Sequence, residues 1–456
     1  MKRVSSIVIA VALLFCCFST SASSATVKDW TVAVFLNADN NLDPFGVEDQ
    51  EEMARVGSNE FLNIVSLIDR ERGPAQINYI EKGNIKKVKD LGEIDMGDYR
   101  QLVNFMKFVK ENYPAKKYCL VIWNHGSGWK NKNINSVYRG ISYDDSSNNH
   151  ITNEQLGIAM AEITKILGQK VDVFDMDACL MQMVEVAHVV KDHVLYQIAS
   201  EELEPGKGAP YDDILKGVKK GMTPRQFCIN WVNAFAKSYD GGSQGHDEST
   251  QSAIDMSRFD ALVDALNGMA KTLMSGKYAR NVKAALNQVQ KFDFPENIDL
   301  IHFTELLKAQ LPGDEAVKTA CDKVLAAAKA AVIIYKNTGF STKNAKGIAI
   351  YLPGYFQVEP KYLTLSFAKQ TLWDEMIAVL YKRDMADRIV DGIAAGDLDP
   401  MRNLVEAARD DKGNAALYRF LIRELNYELF TEKALPENLT VEFTKLFNEL
   451  KKTITR

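Results

Sequence analysis

The chain has 456 residues, with 55 Lys and Arg against 60 Asp and Glu, a formal charge of −5 and both signs interleaved along its length. Nucleic-acid binders show a basic stripe, so a nucleic-acid partner is set aside. The length exceeds the ~100–200 residues of a typical domain and calls for two or three folded units.

Lys2 and Arg3 precede an apolar run over residues 7–18 and a small-residue stretch over 19–25. That is the pattern of a secretory signal peptide. Residues 1–25 are therefore expected to be removed and the remainder exported to the periplasm, cell surface or medium. Loss of Lys2 and Arg3, with no acid, moves the formal charge from −5 to −7. A lipid anchor needs a small residue before Cys16 or Cys17, where Phe15 and Cys16 stand instead. No later apolar stretch reaches the ~20 residues that span a bilayer, so stable membrane insertion is not expected. Cys119, Cys179, Cys228 and Cys321 remain, with no CxxC pair and no zinc-like spacing. A disulfide framework is not expected at that density, although a single bridge would suit an oxidising compartment.

Short apolar runs at 31–36, 63–68, 77–80, 118–123, 171–174 and 194–198 predict strands, and 347–352, closed by Pro353 and Gly354, predicts another. Between them Leu102, Phe105, Met106 and Val109 take the spacing of an amphipathic helix, as do Leu180, Met183, Val184 and Ala187. Strands alternating with helices predict an α/β fold with a mostly parallel central sheet flanked by helices. From about Ala386 the pattern is helical only, through Leu404, Ala407, Ala408, Leu417, Phe420, Leu421 and Leu425. The expected division is a main domain over 26–385 and a C-terminal helical region over 386–456.

Ligands and reacting groups gather beyond the carboxyl ends of the strands of such sheets. Those ends read Asn37-Ala38-Asp39-Asn40-Asn41, Asn124-His125-Gly126-Ser127-Gly128-Trp129, Asp175-Met176-Asp177-Ala178-Cys179 and Ser200-Glu201-Glu202. Cys179 lies between a strand and an amphipathic pattern, so a helix N-terminus is expected to favour its thiolate, against the charges of Asp175 and Asp177. Taken alone it is more often an ordinary buried cysteine. His125, flanked by Gly126 and Gly128, is placed to act as general base and acid, and the Gly126 and Cys179 amides to hold an oxyanion. Its bland reading is a histidine bonded to loop backbone.

The combination of 123–129 with 175–181 closely resembles the clostripain family of cysteine peptidases, which is related in fold to caspases, legumains and gingipains. The resemblance extends to 37–42, 141–145, 200–211 and 347–353 and covers about residues 28 to 380. It implies a caspase-like three-layer fold and a cysteine-type endopeptidase acting on protein or peptide substrates, with His125 and Cys179 as catalytic residues. Asp177 matches the acid of the S1 pocket that selects Arg or Lys. The segment 200–211 departs from the family pattern in presenting Lys207, Gly208 and Ala209. Facing the pocket, Lys207 would oppose a basic P1 residue; pointing outward it would not, and Glu201, Glu202 or Glu204 are candidates to compensate. The resemblance also implies a zymogen that processes itself within residues 130–150, a polar segment read as an exposed loop and holding Lys130, Lys132 and Arg139. No cofactor is required. Calcium stays open: Asp144-Asp145-Ser146-Ser147 and Asp39-Asn40-Asn41 offer oxygen ligands without the spacing of an EF-hand. The readings set against the peptidase are an inactive binding protein of the same fold at the cell envelope and a periplasmic ligand-binding protein.

Overall fold

The computed structural model describes residues 26–129, 140–410, 414–429 and 438–455, so the expected leader over 1–25 lies outside the described residues. The strands in chain order are β1 (Lys28–Ala38), β2 (Leu62–Arg70), β3 (Ala75–Glu81), β4 (Asn84–Gly92) and β5 (Ala115–Trp123). The hairpin β6 (Ile141–Asp144) and β7 (Asn149–Ile151) precedes β8 (Val171–Asp177) and β9 (Val194–Ala199). The short hairpin β10 (Asp240–Gly242) and β11 (Gly245–His246) is followed by β12 (Ser249–Asp255), β13 (Asn297–Asp299), β14 (Val332–Thr338) and β15 (Ala349–Tyr351).

A nine-stranded sheet runs β14-β12-β9-β8-β5-β1-β2-β3-β4. Its centre, β9-β8-β5-β1-β2, is parallel. Antiparallel partners complete both edges. The central strands are continuous apolar runs because helices cover both faces: β1 is buried from Trp30 to Ala38. One face packs Phe35, Leu67, Leu120 and Phe174 against helices that include Tyr99–Asn112, Asn153–Leu167 and Phe259–Ser275. The other packs Trp30, Val34, Leu36 and Val173 against Asp43–Val56, Tyr211–Gly217 and Pro224–Tyr239.

The helix Trp373–Ala394 passes without a break through the expected boundary at 385/386. Its first half joins the core beneath the sheet, and from Ala386 onward it belongs to a separate apolar cluster with helices Asp399–Asp410, Ala415–Tyr427 and Thr440–Thr455. Lys283 to Asp384 at 2.8 Å and Arg280 to Asp391 at 2.8 Å tie this unit to the main body. Cys119, Cys179, Cys228 and Cys321 are free thiols. Among the described residues no helix is long and apolar enough to cross a membrane.

The reading of 130–150 as an exposed loop holds for the exposed turn 145–148 and needs correction for 140–144. Residues 130–139, with Lys130, Lys132 and Arg139, lie outside the described residues, but 141–144 form a buried strand. Its polar groups are satisfied internally: Ser142 Oγ donates to Met96 O at 2.9 Å, and the Asp144 carboxylate accepts from Met96 N–H and Ser147 N–H, each at 2.8 Å. A polar composition signals solvent only where such partners are lacking.

The helix Asp43–Val56 approaches β1 closely at Gly46, where a Cβ would lie 2.6 Å from Leu36 Cδ2 and 2.9 Å from Ala38 Cβ. Gly46→Val should therefore cost about 1–3 kcal/mol by overpacking. A urea titration is expected to show a lower midpoint at unchanged slope, and a midpoint equal to that of the parent would refute the tight contact.

Candidate active site

Trp123 of β5 lies opposite Asp177 of β8 in the parallel register, so the two strands leave the sheet at one level. Two residues further on stand His125 and Cys179. The turns that carry them touch: Asn124 N–H donates to Asp177 O at 3.3 Å, and a Cβ at Gly126 would sit 2.4 Å from Cys179 O. Glycine is what lets the His125 turn close on the Cys179 backbone. Both side chains line two adjoining cavities. The larger, of about 310 Å³, adds Tyr143, Leu180, Leu203 and Phe294. The smaller, of about 180 Å³, adds Asp177, Glu204 and Gly208.

The helix expected immediately behind Cys179 does not begin there; it runs from Val184 to Val190. Leu180 takes a left-handed φ of 64° and donates its N–H to Glu202 O at 3.1 Å, while Gln182 N–H bonds Ser200 O at 2.8 Å. Residues 180–182 thus pair with the segment leaving β9, and the dipole of a short helix starting at Val184 lies too far on to act on the sulfur. Glu204 acts on it instead. Its N–H donates to Cys179 Sγ at 3.2 Å, and the thiol faces Glu204 O at 3.9 Å. Burial pushes the Cys179 thiol up; the Glu204 N–H and the residue's own amide pull it down, and the charges of Glu202 and Asp177 push it up again.

Burial also holds the His125 imidazole below its ordinary range, with Asp145 acting in the opposite sense. Both directions favour the uncharged forms of thiol and imidazole, the starting point that general-base activation needs. His125 Nε2 lies 2.8 Å from Asn41 Oδ1, a partner that the sequence pattern does not single out among four neighbouring polar residues. Among the described residues the Gly126 N–H donates to no backbone carbonyl, whereas the Cys179 N–H is directed to its own sulfur.

Asp177, the last residue of β8, is buried and caps no helix. Its Oδ1 accepts from Ala209 N–H at 3.1 Å and its Oδ2 from Tyr211 O–H at 2.8 Å. Gly208 beside it has a φ of 57°, and a Cβ there would lie 3.0 Å from Asp177 Oδ1. Of the three glutamates considered for this pocket, Glu201 turns away to Gly347 N–H at 2.8 Å and to the Asp299 carboxyl. Glu202 accepts from Leu203 N–H and Asp293 N–H at 2.8 and 3.1 Å. Glu204 alone of the three lines the cavity with Asp177. Burial and the neighbouring Asp177 hold Glu204 well above the carboxylate range, and burial raises Asp177 as well. Lys207 is exposed and lines neither cavity.

Of the oxygen-rich segments weighed for calcium, Asp39 Oδ1 accepts from Ser146 Oγ at 3.0 Å while its buried Oδ2 has no hydrogen-bond partner among the described residues, and Asp144 bonds Met96 and Ser147 as above. Among the described residues no group of three acid, histidine or cysteine side chains is arranged to hold a metal ion.

The model of the clostripain family of peptidases matches residues 34–380. Clostripain of Hathewaya histolytica is 30% identical over 224 residues, and the match spans 42% of this chain and 42% of clostripain, less than half the length of that relative. A secreted C11 cysteine protease from Bacteroides thetaiotaomicron, solved in complex with an irreversible peptide inhibitor, superposes with a TM-score of 0.60 at 20% identity, covering 76% of this chain and 98% of that one. An inactive zymogen C11 protease from Parabacteroides distasonis superposes with a TM-score of 0.56 at 20% identity over 76% of this chain and 99% of its own. At such identities the superpositions show the fold alone. The family match, which takes in most of the chain and both turns of the cleft, shows that this protein belongs to the clostripain family of cysteine peptidases.

Proposed function

We propose that the chain is an exported cysteine endopeptidase that cleaves after Lys or Arg, with Cys179 as nucleophile and His125 as general base and then general acid. The observation that carries the reading is the joint lining of both cavities by His125 and Cys179, with two carboxyl groups inside the smaller one. In this reading His125 takes the thiol proton as Sγ adds to the scissile carbonyl. The oxyanion rests on the Gly126 and Cys179 amides. The imidazolium then protonates the leaving amine, the C–N bond breaks and a thioester remains. Water gives a proton to His125 as it attacks that thioester, and the proton returns to sulfur when the acid product departs. Export rests on the leader pattern of residues 1–25.

A basic P1 side chain suits the smaller cavity because Asp177 and Glu204 have as partners there only each other and the neutral groups of Ala209, Tyr211 and Gln251 among the described residues. A long cation entering it would meet carboxylate directly, and a neutral P1 would leave that acid pair buried without compensation. We further propose self-processing after Lys130, Lys132 or Arg139, since these basic residues lie on the chain between base and nucleophile.

Cys179→Ala should lower kcat on a Lys-P1 peptide by roughly 10³-fold or more. Its chain should also stay whole where the parent is cut in the 130–139 segment, as read by intact-mass spectrometry. Hydrolysis retained in Cys179→Ala would overturn the nucleophile, and identical cutting of both chains would overturn self-processing.

The acid pair has a second consequence. Two buried carboxyls in one cavity share a proton when nothing cationic is present, and a basic side chain displaces it. Calorimetry of a Lys-P1 inhibitor in buffers of different ionisation heat should show about one proton released at neutral pH. Glu204→Gln should abolish that release and raise KM for basic P1 roughly ten-fold, with a smaller effect on kcat. Equal proton release by the variant would rule out the shared proton.

A further inference from the structure

Asn41 follows β1 at the edge of the cleft and is exposed, yet its Oδ1 reaches within 2.8 Å of His125 Nε2. Both ends of this contact hang from the same two carbonyls. Asn40, adjoining Asn41, directs Nδ2 to Tyr143 O at 2.9 Å and to Asn37 O at 3.4 Å. Asn124, adjoining His125, donates Nδ2 to Asn37 O at 2.6 Å and to Tyr143 O at 3.0 Å, and receives Tyr143 N–H on Oδ1 at 2.9 Å. Asn40 Oδ1 also takes the N–H of Leu42 at 2.9 Å, which closes the turn around Asn41. The backbones of Asn41 and His125 are therefore fixed relative to one another by buried amides, and the contact between their side chains is built into the fold.

A carboxamide oxygen only accepts, so the ring nitrogen facing it carries the hydrogen. With Nε2 protonated, a neutral imidazole presents its lone pair at Nδ1. We propose that Asn41 is the positioning residue for His125: it holds the Nε2–H tautomer and leaves Nδ1 as the nitrogen that exchanges protons with the Cys179 thiol and the leaving amine. This inference rests on the dyad proposed above and adds a third group to it.

The neutrality of Asn41 matters as much as its position. The charged and titratable groups around the ring are Tyr143 of β6, Asp145 beyond it, Cys179 beyond β8, Asp177 and Glu204 in the adjoining cavity and Asp293 across the larger one. Of these, Asp145 is the one whose charge bears on the imidazole, and burial outweighs it. An amide partner orients the ring without adding a charge that would keep it protonated, so the base stays ready under mildly acidic conditions. A carboxylate in its place would orient the ring equally well and raise its proton affinity.

The test begins without turnover. In the Cys179→Ala chain labelled with 15N-histidine, the His125 resonances should report the Nε2–H tautomer, and Asn41→Ala in that background should give a mixture of tautomers. In the active chain Asn41→Ala should lower kcat roughly ten-fold with KM for a Lys-P1 peptide unchanged within about two-fold. Asn41→Asp should recover part of kcat and move the acid limb of kcat/KM upward by about one pH unit. An Nδ1–H tautomer in the parent, or a tautomer, kcat and acid limb unaltered by Asn41→Ala, would overturn the assignment. Failure of the dyad itself would show separately, as hydrolysis surviving Cys179→Ala whatever the tautomer.

Discussion

The lateral pairing of β5 with β8 is the constraint on which the site depends. Trp123 opposite Asp177 brings two stretches of chain, more than fifty residues apart, out of the sheet side by side. Parallel neighbours leave at the same level, about 5 Å apart, so an imidazole and a thiol two residues beyond them share a cleft mouth. The rest of the main domain secures that pairing. Apolar side chains on both faces fix the strands, Gly126 lets the turns touch, and the side-chain amides of Asn40 and Asn124, both donating to Asn37 O, lock the exit of β1 to the exit of β5.

Desolvation is the dominant electrostatic influence in the cleft. It pushes Cys179, Asp177 and Glu204 upward and His125 downward, so each of these groups is driven toward its neutral form before substrate arrives. In the proposed mechanism the charges form as substrate supplies partners for them. In that proposal a cationic P1 side chain displaces the proton shared by the acid pair as the oxyanion forms beside Gly126. Glu204 stands at the junction of the two events, with its carboxyl in the smaller cavity and its N–H on the sulfur.

What could be read from the sequence follows burial. The central strands are covered on both faces and so appear as uninterrupted apolar runs, whereas the edge strands β4 and β14 are made mostly of exposed and half-buried residues and escape notice. β12 escapes for another reason: it is buried but polar, with Ser252 Oγ donating to Gly347 O at 2.6 Å. His125, Gly126 and Cys179 stood out because strand exits concentrate polar residues, and Asp177 through the resemblance to the clostripain family; the structure places all four along the two adjoining cavities. The helix start was misread because a left-handed Leu180 has no sequence signal; non-glycine residues seldom adopt that conformation. Choosing Glu204 over Glu201 and Glu202, or Asn41 over its neighbours, requires the path of a loop after it leaves the sheet, and composition does not encode that path.

The most direct measurement is to stop turnover of a peptide carrying one Lys by rapid acidification and to locate the acyl group by mass spectrometry. The expected result is a thioester on Cys179 whose acyl part ends in that Lys. An adduct on any other residue, or full-rate hydrolysis with Cys179 never acylated, would contradict the proposed chemistry.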